Sequence, residues 1–175
     1  RILPNLLATP YPRVVTISSV AHKSGTAKVL AGNPPQSYKP YRGYSQSKLA
    51  NLLFATELDR RARVAGSPLI SMAAHPGVAA TSLVRDREGM GARWLARRVA
   101  SPLMPYVFHG PDEGAQPILY ALAFGEPGGV YGPKQLFEST GRIGRSKRSR
   151  LAQDPELAKA LWQQSETQTG VVFNL

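Results

Sequence analysis

A tyrosine and a lysine stand four residues apart, at Tyr44 and Lys48, near the start of a predicted helix. On a helix this spacing places both side chains on one face, so a phenol can lie beside an ammonium group. A nearby cation stabilises a phenolate and lowers the pKa of a tyrosine below its usual value of about 10. Such a pair can act as an acid and a base near neutral pH. Because many ordinary amphipathic helices show the same spacing, the rest of the chain must decide between chemistry and packing.

Two predicted strands flank this helix. Residues Arg13 to Val20 are rich in β-branched side chains and almost continuously apolar, which indicates a strand buried on both faces of a parallel sheet. The helix is predicted from about Tyr44 to Ala65, where Gly66 ends it, and Pro68 to His75 is predicted as the second strand. A strand, a helix and a second strand in this order predict a right-handed βαβ crossover and therefore a parallel sheet.

The polar residues of interest follow the predicted strands. Ser18 and Ser19 end the first strand, Pro76 and Gly77 follow the second, and Tyr44 opens the helix between them. Open α/β sheets bind ligands at the carboxyl ends of their strands. The predicted fold therefore brings two serines, the tyrosine and a Pro-Gly turn to one edge of the sheet.

The remaining segments complete the expected α/β domain. Residues His22 to Gly43 are predicted as a long loop with little regular structure. Thr81 to Pro111 is basic and rich in Gly and Pro, which suggests a flap, and Asp112 is the predicted N-cap of a helix that ends near Phe124. Three further elements are expected, namely a short strand at Gly128–Gly132, a loop through the basic run that follows it, and a last helix from about Pro155 to Gln164.

Composition limits the classes of protein and of site. The chain has 175 residues and no cysteine, which excludes disulfides and thiolate metal sites. The histidines, at positions 22, 75 and 109, lack metal-binding spacing, so no metal site is expected. No apolar run reaches the length of about 20 residues that crosses a bilayer, and no signal-like start is visible. The expected compartment is the cytoplasm, and the expected organisation is a single domain over residues 1–175.

A formal net charge of +11 raises the question of an anionic partner. The charge is concentrated in two runs, which lack both the interleaved aromatic residues of single-strand binders and the pattern of a recognition helix. We therefore expect a solvated basic face, with a cofactor phosphate or an anionic lipid headgroup as alternatives and nucleic acid ranked behind both. The two runs are Arg85, Arg87, Arg93, Arg97 and Arg98, and Arg142, Arg145, Lys147, Arg148 and Arg150.

Three motifs, taken in order, resemble the carboxyl-terminal half of the short-chain dehydrogenase/reductase family. They are Val14-Val15-Thr16-Ile17-Ser18-Ser19, then Tyr44-Ser45-Gln46-Ser47-Lys48-Leu49-Ala50-Asn51, then Ala74-His75-Pro76-Gly77-Val78 with Thr81. The stretches YSQSKLANLLFATEL, AHPGVAATSL and LAQDPELAKALWQQSETQTG are similar to its retinol-dehydrogenase and protochlorophyllide-reductase-like branch. The resemblance implies the last part of a Rossmann-like doubly wound sheet, with about three parallel strands and their helices. It also implies hydride transfer between NAD(P)(H) and a hydrophobic alcohol, aldehyde or ketone.

The resemblance assigns roles to the candidate catalytic residues. Tyr44 is implied to be the acid-base that exchanges a proton with the substrate oxygen, while Lys48 lowers its pKa and binds the ribose hydroxyls of the cofactor. Ser19 is implied to hydrogen-bond the substrate carbonyl, with Ser18 as the alternative.

Further residues are implied to contact the cofactor. Pro76 and Gly77 let the backbone approach the nicotinamide, Val78 offers its amide to the carboxamide, and Thr81 offers its hydroxyl nearby. The branch favours NADP somewhat over NAD. His75 is expected to pack at the end of its strand rather than to act as a base.

The chain departs from the family pattern in its lack of a glycine-rich turn that lays a helix N-terminus on the pyrophosphate. We therefore expect a partial domain that has the active-site residues without the dinucleotide-binding half. A buried strand without a neighbour favours pairing with another chain, so we expect self-association or a complementing amino-terminal fragment; a well-behaved monomer in light scattering would contradict this. The alternative function is a non-catalytic fragment that associates with a partner or an anionic surface.

Overall fold

The computed structural model describes residues 2–32, 35–77, 110–173 and 175. Most of the predicted flap lies outside these ranges, and so do Val78 and Thr81. Four 3₁₀ turns occupy Val20–Ser24, Ala27–Ala31, Pro35–Ser37 and Leu151–Gln153. The helices and strands are α1 (Leu3–Leu7), β1 (Arg13–Ile17), α2 (Pro40–Val64), β2 (Ile70–Ala74), α3 (Pro111–Phe124), β3 (Val130–Gln135), β4 (Thr140–Arg145) and α4 (Pro155–Thr169).

Within the described ranges, four strands form one sheet in the order β1-β2-β3-β4. β1 and β2 are parallel, with Arg13 opposite Ile70 and Ile17 opposite Ala74. β3 is parallel to β2, whereas β4 runs antiparallel to β3. The prediction of an α/β fold with about three parallel strands is confirmed, and the antiparallel fourth strand is an addition to it.

Helices cover both faces of this sheet. Successive side chains of a strand point to opposite faces, and β2 shows this clearly. Ala73 packs in a core cluster with Leu52 of α2 and Ala158 of α4, whereas Met72 packs with Ala121 of α3 on the other face. This doubly wound arrangement agrees with the fold that the three motifs predicted.

Helix α2 begins at Pro40, one turn before the predicted start at Tyr44. Proline suits the first position of a helix because its fixed φ is already helical and its missing N–H would have no partner there. The helix ends at Val64, close to the predicted end, and Gly66 follows with a φ of +63°. The apolar stripe of the helix, at Leu49, Leu52, Leu53 and Leu58, is buried.

The connection between β1 and α2 is more regular than predicted. Where a loop with little regular structure was expected, three 3₁₀ turns are present. β1 ends at Ile17 rather than Val20 because Ser19 caps the first turn, its Oγ accepting a hydrogen bond from Ala21 N at 3.2 Å. The prediction was wrong here because such local side-chain caps leave no trace in the hydrophobic periodicity.

Three predictions for the later part of the chain need correction. Part of the basic run is a strand instead of a loop, since Arg142 and Arg145 lie in β4, whereas Lys147, Arg148 and Arg150 lie outside helices and strands as predicted. The side chains of β4 lack the apolar alternation that signals a strand. Helix α3 is capped by Gly110 instead of Asp112, and the Glu113 carboxylate accepts a hydrogen bond from Gly110 N at 3.3 Å. Helix α4 continues beyond Gln164 to Thr169.

Candidate active site

Tyr44 and Lys48 share one face of α2 and are both half-buried. The Lys48 ammonium nitrogen lies 5.6 Å from the centroid of the Tyr44 ring. The same nitrogen donates a long hydrogen bond, 3.4 Å, to the carbonyl oxygen of Ile17 at the end of β1. Burial lowers the pKa of Lys48 from its usual value. The structure thus brings phenol and ammonium together at the carboxyl edge of the parallel strands.

The two serines after β1 are both buried but have different partners. Ser18 Oγ donates to the carbonyl oxygen of Lys48 at 2.8 Å, and Ser18 N donates to Ala74 O at 2.8 Å. Ser18 therefore ties the end of β1 to α2 and to β2. Ser19 Oγ accepts a hydrogen bond from Ala21 N, which leaves its hydroxyl proton without an acceptor in the described part of the chain. The Ser19 hydroxyl can therefore still donate a hydrogen bond, whereas the Ser18 hydroxyl already donates its own.

Two further contacts hold α2 against the 3₁₀ turns that precede it, one made before Tyr44 in the helix and one after it. Gln46 makes a paired contact with Thr26, accepting from its backbone N–H at 3.1 Å and donating to its hydroxyl at 2.8 Å. Tyr41 and Ser24 hydrogen-bond through their hydroxyl groups at 3.1 Å. These contacts set the position of Tyr44 relative to the serines.

Pro76 and Gly77 turn away from the end of β2. Gly77 has a φ of +78°, a conformation that favours glycine. A Cβ atom on Gly77 would lie 2.3 Å from Ser139 O and 2.9 Å from Pro133 Cγ. The turn is therefore packed directly against the β3–β4 hairpin, and a side chain at Gly77 has no room.

Two buried histidines connect these segments in their neutral form. His75 Nδ1 accepts a hydrogen bond from Gly77 N at 3.2 Å, so its Nε2–H donates to Ser146 Oγ at 3.0 Å. Burial lowers the pKa of His75 to about 4. His22 Nδ1–H donates to Ser19 O at 2.7 Å, its Nε2 accepts a backbone N–H at 3.2 Å, and burial lowers its pKa as well. Because His75 is buried and neutral at the strand end, it packs there, as expected from the sequence.

An ion pair between the exposed Lys23 and the buried Glu138 joins the first 3₁₀ turn to the β3–β4 hairpin. The ammonium group of Lys23 contacts the carboxylate of Glu138, and Lys147 N donates to the same carboxylate at 2.9 Å. Burial alone would raise the pKa of Glu138, but its bonds to Lys23 and to the Lys147 amide lower it from the usual value. The hairpin is therefore fixed to the segment that follows Ser19.

Known proteins similar to this chain are dehydrogenases. Polyprenol dehydrogenase of Mus musculus is 37% identical over 158 residues, covering 90% of this chain and 44% of that protein. Retinol dehydrogenase 14 of Mus musculus is 33% identical over 175 residues, covering 98% and 48% respectively. A crystal structure of an uncharacterised protein from Mycobacterium paratuberculosis matches with a TM-score of 0.69 and 39% identity, covering 93% of this chain and 52% of that one. The chain belongs to the short-chain dehydrogenase/reductase family.

This membership confirms the resemblance that the three motifs indicated. The chain spans about half the length of the curated relatives it matches, and its motifs are those of the carboxyl-terminal half of the family. No family model matches the chain.

Sequence reasoning within this family missed two residues that position the site. Gln46 lies between Tyr44 and Lys48, but a glutamine on a polar helix face has no pattern that marks it as a clamp. Glu138 lies in a turn whose burial depends on the fold. The roles of Gln46 and Glu138 become visible only when the 3₁₀ turns are known to contact α2 and the hairpin is known to contact the end of β2.

An apolar cleft between α2 and α4 lies apart from these candidate residues. It has a volume of about 130 Å³ and is lined by residues that include Phe54, Trp162 and Phe173. Within the described ranges, no group of three or more His, Asp or Glu side chains is placed to hold a metal ion. Nor does any helix there have the length and apolar character needed to cross a bilayer.

Proposed function

We propose that this chain carries the catalytic side chains of an NAD(P)-dependent oxidoreductase acting on a hydrophobic alcohol, aldehyde or ketone. The observation that carries the proposal is the meeting of Tyr44 and Lys48 on one face of α2 with Ser18 and Ser19 at the carboxyl edge of the sheet. Ligands of open α/β sheets bind at this edge. The proposed catalytic residues are Ser19, Tyr44 and Lys48.

One feature of this edge fits a nicotinamide nucleotide. Lys48 makes one long hydrogen bond among the described residues, so its ammonium group retains donors for ribose hydroxyls. Pro76 and Gly77 stay proposed contacts of the nicotinamide on the family pattern, since the hairpin takes the space that a side chain on Gly77 would fill. Val78 and Thr81 stay proposed cofactor contacts on the family pattern alone, and NADP stays the proposed preference on the same basis. When bound, the nicotinamide supplies or accepts a hydride.

The chain's own residues handle the proton. In the reducing direction the Tyr44 phenol donates its proton to the substrate oxygen, and in the oxidising direction the phenolate takes that proton back. Lys48 places a positive charge beside the phenol, with its ammonium nitrogen 5.6 Å from the centroid of the Tyr44 ring. The free hydroxyl proton of Ser19 hydrogen-bonds the same substrate oxygen and holds it in place.

The proposed substrate class follows from the relatives. Polyprenol dehydrogenase and retinol dehydrogenase 14 are named for apolar alcohols. We propose the same substrate class for this chain, without naming a particular substrate. β1 pairs with β2 alone among the described strands, so its other edge is open to a further strand, and pairing there with a second copy or a separate fragment stays a prediction.

Replacing Tyr44 by Phe tests the proposal. Tyr44→Phe removes the exchangeable proton and keeps the ring, so we expect turnover to fall by about 10²- to 10⁴-fold with the fold unchanged. Turnover is followed by the absorbance of the reduced nicotinamide with an apolar aldehyde, and the fold by circular dichroism. The matched control is Tyr11→Phe, at a residue that precedes β1 and is 81% exposed, and we expect it to keep turnover. Turnover that survives Tyr44→Phe would contradict the mechanism.

A further inference from the structure

The turn that joins β3 to β4 holds two large apolar side chains in water. Phe137 is 97% exposed and Leu136 is 65% exposed. Leu136, Phe137 and Glu138 have φ values of +45°, +59° and +64°, a left-handed conformation that residues with side chains adopt rarely. We call Leu136 and Phe137 the hairpin tip.

The structure holds this turn in place despite its unfavourable backbone conformation. Glu138 points inward, where Lys23 and the Lys147 amide bind its carboxylate. Ser139 N closes the turn with a hydrogen bond of 3.0 Å to Gln135 O. Because Glu138 is anchored inside, the hairpin tip is presented outward as a defined feature.

Three cations of the hairpin and of the segment after it are exposed. Lys134 on β3, Arg142 on β4 and Lys147 after β4 are exposed. The carboxylate of Glu138 pairs with Lys23, and that of Glu126, at the other end of the hairpin, pairs with Arg145 at 3.4 Å. Lys134 Nζ donates a hydrogen bond of 2.6 Å to Arg145 O, and no carboxylate in the described ranges pairs with Lys134 or Arg142. The hairpin therefore presents two apolar side chains at its tip and exposed cations beside them in the chain.

We propose that the hairpin tip docks on an anionic lipid surface. Phe137 and Leu136 enter the boundary between headgroups and acyl chains, while Lys134, Arg142 and Lys147 lie against the negatively charged headgroups. Two side chains present too little area for a stable protein interface, which needs about 800 Å² from each partner. A soluble anion would use the cations alone and leave Phe137 in water. The lipid surface uses both features.

Docking in this way would place the candidate active site against the membrane. The hairpin contacts the Pro76–Gly77 turn, since Ser139 O lies where a Cβ on Gly77 would be. The carboxyl edge with Tyr44 and Ser19 therefore lies on the docked side of the sheet. This consequence rests on the proposed function, because apolar alcohols and aldehydes dissolve in the bilayer that the edge would meet. The docking itself is measured without turnover.

Vesicle binding by surface variants tests the docking. We expect the full chain to float with vesicles of phosphatidylcholine and phosphatidylglycerol and not with phosphatidylcholine alone. Phe137→Ser should weaken this binding about tenfold, because it removes the largest inserted side chain. The matched control is Val64→Ser, at a residue that is 76% exposed and lies at the opposite edge of the sheet, and it should bind like the unchanged chain.

The cations are tested in the same assay. Lys134→Gln with Arg142→Gln should weaken binding by about fivefold for each charge removed, and added salt should have the same effect. The control pair is Lys28→Gln with Lys159→Gln, which removes the same charge from two exposed residues away from the hairpin. Equal losses in both pairs would overturn the proposed site, because they would show a response to net charge only.

Insertion of residue 137 into the bilayer can be measured with a dye on a single introduced cysteine, since the chain has no cysteine of its own. A polarity-sensitive dye on Phe137→Cys should shift its emission to the blue with anionic vesicles, whereas the same dye on Val64→Cys should not. An unshifted dye at position 137 would overturn the proposal. So would binding to RNA that is stronger than binding to vesicles and that Phe137→Ser leaves unchanged. Tyr44→Phe should bind vesicles normally. A chain that turns over dispersed substrate but does not bind vesicles would refute docking alone, and vesicle binding without turnover would refute the proposed function alone.

Discussion

Ser18 and Ser19 are adjacent residues of the same type, but they make different hydrogen bonds. Both are buried, at 2% and 7% exposure, and both follow the last residue of β1. Ser18 uses its hydroxyl proton to bind the backbone of α2, whereas Ser19 keeps its proton and accepts a bond from Ala21 N. The sequence left the choice between them open. Their hydrogen bonds favour Ser19 for the substrate and Ser18 for the scaffold.

Separate alanine substitutions distinguish these roles. Ser19→Ala should lower kcat/KM by about 10²-fold or more, because it removes a hydrogen bond to the reacting oxygen. Its effect on the free energy of unfolding should stay near the value for a lost cap, about 1 kcal/mol. Steady-state kinetics and urea unfolding measure the two quantities.

Ser18→Ala should differ from Ser19→Ala in turnover and not in stability. Loss of its bond to Lys48 O should lower the free energy of unfolding by about 1 kcal/mol and leave most of the turnover. If Ser18→Ala removed as much turnover as Ser19→Ala, the assignment of the catalytic serine would be wrong.

At the scale of elements, the turn after β2 depends on an element far along the chain. Gly77 needs glycine for its positive φ and also for its contact with the β3–β4 hairpin. The family pattern marked Gly77 as a cofactor contact, and the hairpin supplies a second reason for glycine there. A substitution at this position would therefore disturb the packing of two elements.

Two glycine variants separate these causes. Gly66→Ala meets only the conformational cost, since Gly66 has a φ of +63° and open space around it; we expect a loss of about 1 kcal/mol in the free energy of unfolding. Gly77→Ala adds a steric clash with Ser139 O, so its loss should exceed that of Gly66→Ala by about 1–3 kcal/mol. Urea unfolding measures both variants. Equal losses would show that the hairpin yields to the new methyl group.

Element boundaries were predictable where one strong local signal controls them. The apolar stripe of α2 predicted that helix, and the β-branched run before Ser18 predicted β1. β4 was not predicted because its pairing with β3, rather than its own composition, makes it a strand. The three 3₁₀ turns before α2 were missed for a similar reason, since they depend on single capping contacts and on packing against the helix.

At the scale of the whole molecule, two neutral histidines hold segments that are distant in sequence. His75 joins the Gly77 turn to Ser146, and His22 joins Ser19 to the backbone of Ser149. Protonation would cost each histidine the bond that its acceptor nitrogen makes. The stability of the fold and the geometry of the candidate site should therefore depend together on pH.

We expect the free energy of unfolding to fall as the pH falls below about 6.5. The unfolded chain binds a proton on His75 near the usual pKa of 6.5, whereas the folded chain does not do so until about 4. In this window the unfolded state binds more protons, so acid favours unfolding, by about 3 kcal/mol for His75 when the window is fully crossed. The lowered pKa of His22 acts in the same direction. Urea unfolding at a series of pH values measures the slope.

His75→Gln is the control for this dependence. Glutamine can occupy part of the space but does not titrate, so the variant should be less stable at neutral pH and show a flatter slope above about pH 4.5. Below that pH, carboxylates such as Glu57, whose pKa its bonds to Arg60 lower, begin to contribute their own loss. A slope that His75→Gln leaves unchanged would assign the effect to other groups.

The sequence by itself indicated the family through the resemblance of three motifs. It also predicted the parallel βαβ core, and with it the edge at which Tyr44, Lys48, Ser18, Ser19 and the Pro-Gly turn lie, because these depend on short-range spacing and apolar periodicity. Only the tertiary structure decided which serine has a free proton and that the β3–β4 hairpin lies against Gly77. It also decided that Phe137 is presented to solvent among cations. These properties arise from contacts between residues far apart in the chain, and local composition carries no record of such contacts.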